Sequence, residues 1–299
     1  MNVGTVIDGR YRVVRTLGEG GCGTVVVADD LKKEAEVAVK IQPEQTFESS
    51  GWFAHTGESF SGEADNLSRL SGIRGIPECR GKGMHGNRRY IVMDLVRGMT
   101  LDGFVVNPGA QRAAVAASVL GQLCEILHPV HGRGLVHRDI KPENIMVEPD
   151  GEIRLLDVGF ALPIGAAPPE PCGTSGFSAP EQYLPGKPAT VAGDIFALGC
   201  VLFEMIALAL PYGGNARNAT RDTEVFPSAR LKGLHPELRE LGLSMVAVDP
   251  DERPADVLEV LRRLTPVLPV LGAMRDLKVR RPDVTEWYRK GRGIPLGSL

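Results

Sequence analysis

The segment His137-Arg138-Asp139-Ile140-Lys141-Pro142-Glu143-Asn144 sets a Lys two residues and an Asn five residues after a carboxylate. Moving a phosphoryl group onto a hydroxyl needs a group to accept or orient the hydroxyl proton, and oxygen ligands for a divalent metal. Asp139 suits the first task and Asn144 the second. Asp157-Val158-Gly159 follows at a strand end and offers a second metal-ligand carboxylate, Asp157. Upstream, Val37-Ala38-Val39-Lys40 ends a β-branched run in a lysine. Read alone, Lys40 is a solvated edge charge. After a phosphate-covering hairpin it becomes a cation for the α- and β-phosphates, and it then needs a carboxylate to orient it. Glu63 is that candidate, because it shares a helical face with Leu67 and Leu70. Asp65 lies off that stripe, and a carboxylate near a helix N-terminus is also favoured by the dipole alone. Finally, Gly18-Glu19-Gly20-Gly21-Cys22-Gly23-Thr24-Val25 lets backbone approach phosphate with no side chain between. By itself this pattern does not separate a phosphate loop from an ordinary glycine-rich hairpin.

The elements that must position these groups are readable from periodicity. Tyr11–Leu17, Thr24–Asp29 and Ala35–Gln42 alternate or run β-branched and predict strands, and Tyr90–Val96 predicts another. A strand after the glycine run argues against a dinucleotide fold, which needs a helix there. Residues 60–70 predict one helix. From Leu101 the pattern is mainly helical. Helices are expected over Ala110–His131, Asp194–Leu208, Leu238–Val248 and Ala255–Leu264, with short strands at Ile145–Val147 and Ile153–Leu156. The proline-rich stretch Leu162–Pro171 predicts a loop.

Composition bounds the function. At 299 residues the chain can bury a large core or two. Hydrophobic residues at 43% and charged residues at 24% exclude disorder and coiled coil as the main theme. A net charge of −3 gives no global field for nucleic acid. Five cysteines without a CxxC pair point away from zinc and dithiol chemistry, and towards reduced thiols in a cytoplasm. The start has no apolar core of signal-peptide length, and Ile195–Leu210 is too short for a span and contains Glu204. A soluble cytoplasmic chain with no membrane span is expected.

Taken together, GEGGCGTV, VAVK, HRDIKPEN, CGTSGFSAPEQ, GDIFALGCVLFEM and DPDERP resemble the eukaryotic-like (Hanks-type) bacterial Ser/Thr protein kinases, over about Tyr11 to Leu264. The resemblance implies an α+β bilobal kinase fold. Its small lobe and hinge would be residues 1–98, mainly antiparallel β with one key helix. Its larger, mainly helical lobe would be residues 99–265, and residues 266–299 a basic tail. It implies ATP as cofactor, with Mg²⁺ or alternatively Mn²⁺. Gly18, Gly20, Gly23 and Lys40 would hold phosphates, Val25, Ala38 and Met146 the adenine. Met93 would be the gatekeeper and Asp94 to Val96 the hinge. Asp139, Lys141, Lys40 and Glu63 would be catalytic, Asn144 and Asp157 metal ligands. Asp194 would brace the catalytic loop, and Glu181 would pair with Arg253. Lys141 implies Ser/Thr acceptors on protein substrates, and the resemblance leaves room for a homodimer.

Three features depart from the family pattern. Val158 stands where a Phe is usual, with Leu67, Cys79 and His137 expected around it. Cys22 sits at the glycine-loop tip. Residues 160–172, FALPIGAAPPEPC, lack Ser, Thr and Tyr, so Glu170 is read either as a built-in substitute for the activating phosphate, pairing with Arg138, or as a solvated loop residue with Arg138 paired elsewhere. The tail sets seven basic residues against three acidic ones and contains Trp287-Tyr288, which suits either docking or simple packing. Two rivals stand beside an active kinase. One is a pseudokinase, opposed by the joint presence of Lys40, Glu63, Asp139, Asn144 and Asp157. The other is a small-molecule phosphotransferase, opposed by Ala179-Pro180-Glu181 and Arg253.

Overall fold

The computed structural model describes residues 1–20, 23–43, 62–106, 112–168, 173–279 and 281–295. Cys22 and Glu170 lie outside the described residues. The chain divides into two compact units. The first comprises Met1–Gly72, Ile76–Val96 and Asp157–Phe160, the second Ile73–Gly75, Arg97–Leu156 and Ala161–Leu299.

The first unit is an antiparallel sheet and a helix. Strands β1 (Val6–Ile7), β2 (Tyr11–Gly20), β3 (Gly23–Asp30), β4 (Ala35–Ile41), β5 (Cys79–His85) and β6 (Arg88–Asp94) lie in the order β1-β2-β3-β4-β6-β5. Alternation drives the assembly: Tyr11, Val13, Val26, Ala28, Val37, Val39, Ile41, Tyr90 and Val92 point to one side and form one buried cluster. The sequence pattern did not reveal β5. Its residues, CRGKGMH, carry no apolar alternation, and it is held as an edge strand by β6 alone. Gly83 shows why: a Cβ there would meet the Tyr90 hydroxyl at 2.5 Å, so the neighbouring tyrosine fills the space a strand side chain would take. The last predicted strand ends early, at Asp94, and Leu95 and Val96 leave the sheet. Helix α1 covers residues 62–69 and turns Glu63, Ala64, Asn66 and Leu67 inward.

The second unit is mainly helical. Its helices are α2 (Leu101–Val105), α3 (Ala113–Gly132), α4 (Val191–Ala207), α5 (Ser228–Leu231), α6 (Pro236–Met245), α7 (Val257–Leu264) and α8 (Glu286–Arg289). Among the described residues α3 is the one helix long and apolar enough to cross a membrane, but most of it is buried inside this unit. It packs against α4 and α7, and α4 packs on α6. Helix α4 starts three residues before the expected Asp194, so that carboxylate sits in the first turn. Strands β7 (Met99–Thr100), β9 (Ile145–Val147) and β10 (Ile153–Leu155) form a small sheet. The expected loop at 162–171 begins with strand β11 (Leu162–Pro163), which pairs with β8 (Leu135–Val136). The tail is part of this unit, with Val284, Trp287 and Tyr288 buried.

Candidate active site

In the first unit the phosphate-facing candidates lie on adjoining strands. Gly18 pairs with Val25 and Gly20 with Gly23 across the β2–β3 hairpin, and Ala38 sits opposite Met93. Gly18 and Gly20 are exposed, Val25, Met93, Asp94 and Val96 half-buried, and Ala38 buried. Gly23 is required by conformation and by space. Its φ is +123°, and a Cβ would stand 2.2 Å from the Ile41 carbonyl oxygen. Asp94 also pairs with Arg80.

Lys40, near the end of β4, points inside. Its Nζ donates to Glu63 Oε1 at 2.9 Å and Oε2 at 2.7 Å, and to Asp157 Oδ2 at 3.1 Å. Burial pulls the Lys40 ammonium down, but the charges of Asp157 and Glu63 outweigh it and the net displacement is upward. Burial pushes the Glu63 carboxyl up, with Asp157 adding to it against the pull of Lys40. The two partners move in a consistent sense: one ammonium serves two carboxylates, so a negative charge is left over. Asp157 has φ +53°, and its Oδ1 accepts from the Gly159 amide at 3.1 Å.

The second unit holds the other candidates. The Asp139 carboxylate is buried. Its Oδ1 accepts from Thr174 Oγ1 at 2.6 Å, and its Oδ2 from Asn144 Nδ2 at 2.9 Å. Lys141 Nζ lies 3.0 Å from Asp139 Oδ2 and donates to Thr174 Oγ1 at 2.8 Å. Asn144 Nδ2 is spent on Asp139, so the amide oxygen is the atom this candidate could offer a metal. Met146 is half-buried on β9.

The loop carrying Asp139 is fixed from below. Asp194 accepts from the amides of His137 and Arg138, each at 2.8 Å, and from His131 Nε2 at 2.8 Å. Burial raises the Asp194 carboxyl, but the bond from His131, the two histidines and the Arg138 amide outweigh it and hold it low. Arg138 sits at φ +69°, a strained value for a non-glycine residue that these bonds maintain. His137 is fully buried, with its Nε2 on the Leu156 carbonyl, and it serves structure. Arg253 makes a two-pronged pair with Glu181, at 2.7 and 2.9 Å, and Gln182 Nε2 donates to the Arg138 carbonyl.

Sequence reasoning missed His131 and Asn66. Both had a signal, a polar side chain on a face otherwise given to core residues.

The sequence profile described as the protein kinase domain matches residues 11–263. The chain belongs to the protein kinase family. Its similarity extends to the serine/threonine-protein kinase PknA of Mycobacterium tuberculosis strain H37Rv, 34% identical over 249 residues, covering 80% of this chain and 57% of PknA. PknB of the same strain is 29% identical over 259 residues, covering 83% of this chain and 41% of PknB. The chain thus spans about half the length of these relatives. Its fold is the α+β protein kinase fold, and kinases of this family use ATP with a divalent metal. Asp157 in the first unit and Asn144 in the second each offer a hard oxygen donor of the kind Mg²⁺ takes beside substrate phosphates. A kinase metal needs no dense protein cage, and among the described residues no group of three or more His, Cys, Asp or Glu side chains forms one.

Proposed function

We propose that this protein kinase transfers the γ-phosphate of ATP to Ser or Thr hydroxyls of proteins. The observation that carries this reading is Thr174 Oγ1 against Asp139 Oδ1 at 2.6 Å, with Lys141 Nζ on both groups. A hydroxyl therefore fits against this carboxylate, and an ammonium stands ready for charge developing on its oxygen. In the proposed reaction Asp139 orients an acceptor hydroxyl and takes its proton. Lys141 stabilises the incoming oxygen, and Lys40, oriented by Glu63, holds the nucleotide phosphates. Asp157 and Asn144 would ligate Mg²⁺, which supplies charge neutralisation at the phosphates when bound. Phosphoryl transfer asks a protein mainly for positioning and electrostatics, and each of these side chains is fixed by at least one bond to a neighbour.

The test is incubation with labelled ATP, Mg²⁺ and casein or myelin basic protein, beside an Asp139→Asn control. Label on protein in wild type alone supports the reading. Nucleotide binding without transfer would replace it with a pseudokinase, and transfer to small molecules alone with the other rival.

A further inference from the structure

Two side chains of α1 reach the turn that carries Asp157. Glu63 does so through Lys40. Asn66, three residues later and so on the same face, does so directly. Its Nδ2 donates to the carbonyl oxygen of Val158 at 3.1 Å. Asn66 is 9% exposed and Val158 1%, so water is a poor substitute for this donor.

The turn needs a hold. Asp157 adopts φ +53°, a conformation a non-glycine residue keeps only under constraint. Gly159 is packed closely: a Cβ there would lie 3.0 Å from Asp157 Oδ1 and 3.3 Å from Glu63 Oε2. Between them stands Val158, a short side chain that offers less packing surface than an aromatic ring would. The Val158 carbonyl belongs to the peptide whose amide, on Gly159, bonds Asp157 Oδ1. Fixing that carbonyl fixes the amide on the other side of the same planar unit, and with it the carboxylate.

We infer that Asn66 is a positioning residue: its hydrogen bond to the Val158 carbonyl sets the direction of the Asp157 carboxylate. The inference rests on the proposed role of Asp157 as metal ligand. The carboxylate is held on both oxygens, Oδ2 by Lys40 and Oδ1 by the peptide that Asn66 pins. Helix α1 thereby governs both holds, one through Glu63 and one through Asn66. A core asparagine that merely satisfied a carbonyl would affect stability alone. A positioning asparagine affects how readily the metal is taken.

The experiment compares the full chain with Asn66→Leu, which keeps the volume and drops the donor, and Asn66→Ala, which avoids any clash. Two readouts are taken. One is hydrogen exchange of the segment 156–160 without nucleotide, with the Gly159 amide as reporter. The other is the Mg²⁺ concentration for half-maximal binding of a non-hydrolysable ATP analogue. Loss of one buried hydrogen bond predicts about tenfold faster exchange in that segment, with exchange in β2 to β4 unchanged. The Mg²⁺ midpoint should rise severalfold, up to the same factor. Unchanged exchange and an unchanged midpoint in both variants would overturn the inference. So would acceleration spread evenly over the first unit. Wild-type nucleotide binding that ignores Mg²⁺ would instead overturn the metal role of Asp157. The nucleotide-free exchange comparison would then still decide whether Asn66 holds the turn.

Discussion

Lys40 with its two carboxylate partners is a charge arrangement that only a further cation completes. Burial raises the Glu63 carboxyl, with Asp157 adding to it against the pull of Lys40, and one negative charge is left over. Asp157→Asn removes that excess charge. We expect stability to move by less than about 1 kcal/mol, since the side chain is 28% exposed and lost repulsion towards Glu63 offsets the lost contact with Lys40. Turnover on protein should fall by about 10²–10³, the scale of a charge interaction made in the transition state. Near-wild-type turnover in steady-state assays would refute the assignment. A second residue-scale prediction concerns acid stability. Arg10 grips Asp30 at 2.7 and 2.6 Å, and together with the Lys32 amide it lowers that carboxyl to about 2. A carboxyl depressed in the folded state stabilises the fold above its unfolded pKa, near 4. That contribution is lost as pH falls from about 4 to about 2. Urea melts of wild type and Asp30→Asn should therefore differ at neutral pH and converge near pH 2. A gap that stays constant would place the effect elsewhere. At this scale the sequence was informative where a motif is contiguous: Asp139, Lys141 and Asn144 lie close along the chain, and one loop brings them together. Asn66 shows in the sequence only as a polar side chain on a core face, and its partner, a backbone carbonyl 92 residues away, is one that no spacing rule encodes.

Among the elements, α3 and the tail make the least expected contact. Glu125 is a buried carboxylate on a mainly apolar helix. Its Oε1 accepts from the Tyr288 hydroxyl at 2.9 Å and the Ile294 amide at 3.1 Å. Its Oε2 accepts from Trp287 Nε1 at 3.1 Å and Arg74 at 3.3 Å. The Arg74 guanidinium lies 3.6 Å from the Trp287 ring centroid. A carboxylate with four donors is a clamp whose loss leaves buried charge unpaired. Trp287→Ala should cost about 3–5 kcal/mol by cavity and lost bond together. Tyr288→Phe should cost about 1–3 kcal/mol. Calorimetric unfolding checks both, and losses under about 0.5 kcal/mol would mean the tail is only resting on the surface. The sequence left the tail between docking and packing because Trp287 and Glu125 lie 162 residues apart. Strand β5 was invisible for a different reason: its glycines make room for a neighbour's ring and erase the alternation that marks a strand. By contrast β2, β3, β4, β6, α3, α4 and α7 bury regular faces, and they were legible to within a few residues.

At the scale of the whole molecule the question is what switches it on. Kinases with an Arg before the catalytic Asp are usually ordered by a phosphate on the following loop, but residues 160–172 contain no hydroxyl. Arg138 and Lys187 line one small pocket with Pro168, the last described residue before Glu170. A Glu170 carboxylate pairing with Arg138 is the expectation that the sequence raises. It brings one charge where a phosphate brings nearly two. The pair is therefore worth at most about 1.5–3 kcal/mol, and less where solvent reaches it. The later hydroxyls are less free to serve. Thr174 is engaged by Asp139 and Lys141, and Ser178 is 3% exposed, which leaves Ser175 as the accessible one. We expect phosphatase-treated kinase, shown by mass spectrometry to carry a bare loop, to retain its activity. Glu170→Gln should lower that activity by about tenfold and at most a hundredfold, the range set by the pair's worth. A bare-loop kinase that stays silent until Ser175 is phosphorylated would show that an added phosphate, not a carboxylate encoded in the sequence, sets the active state.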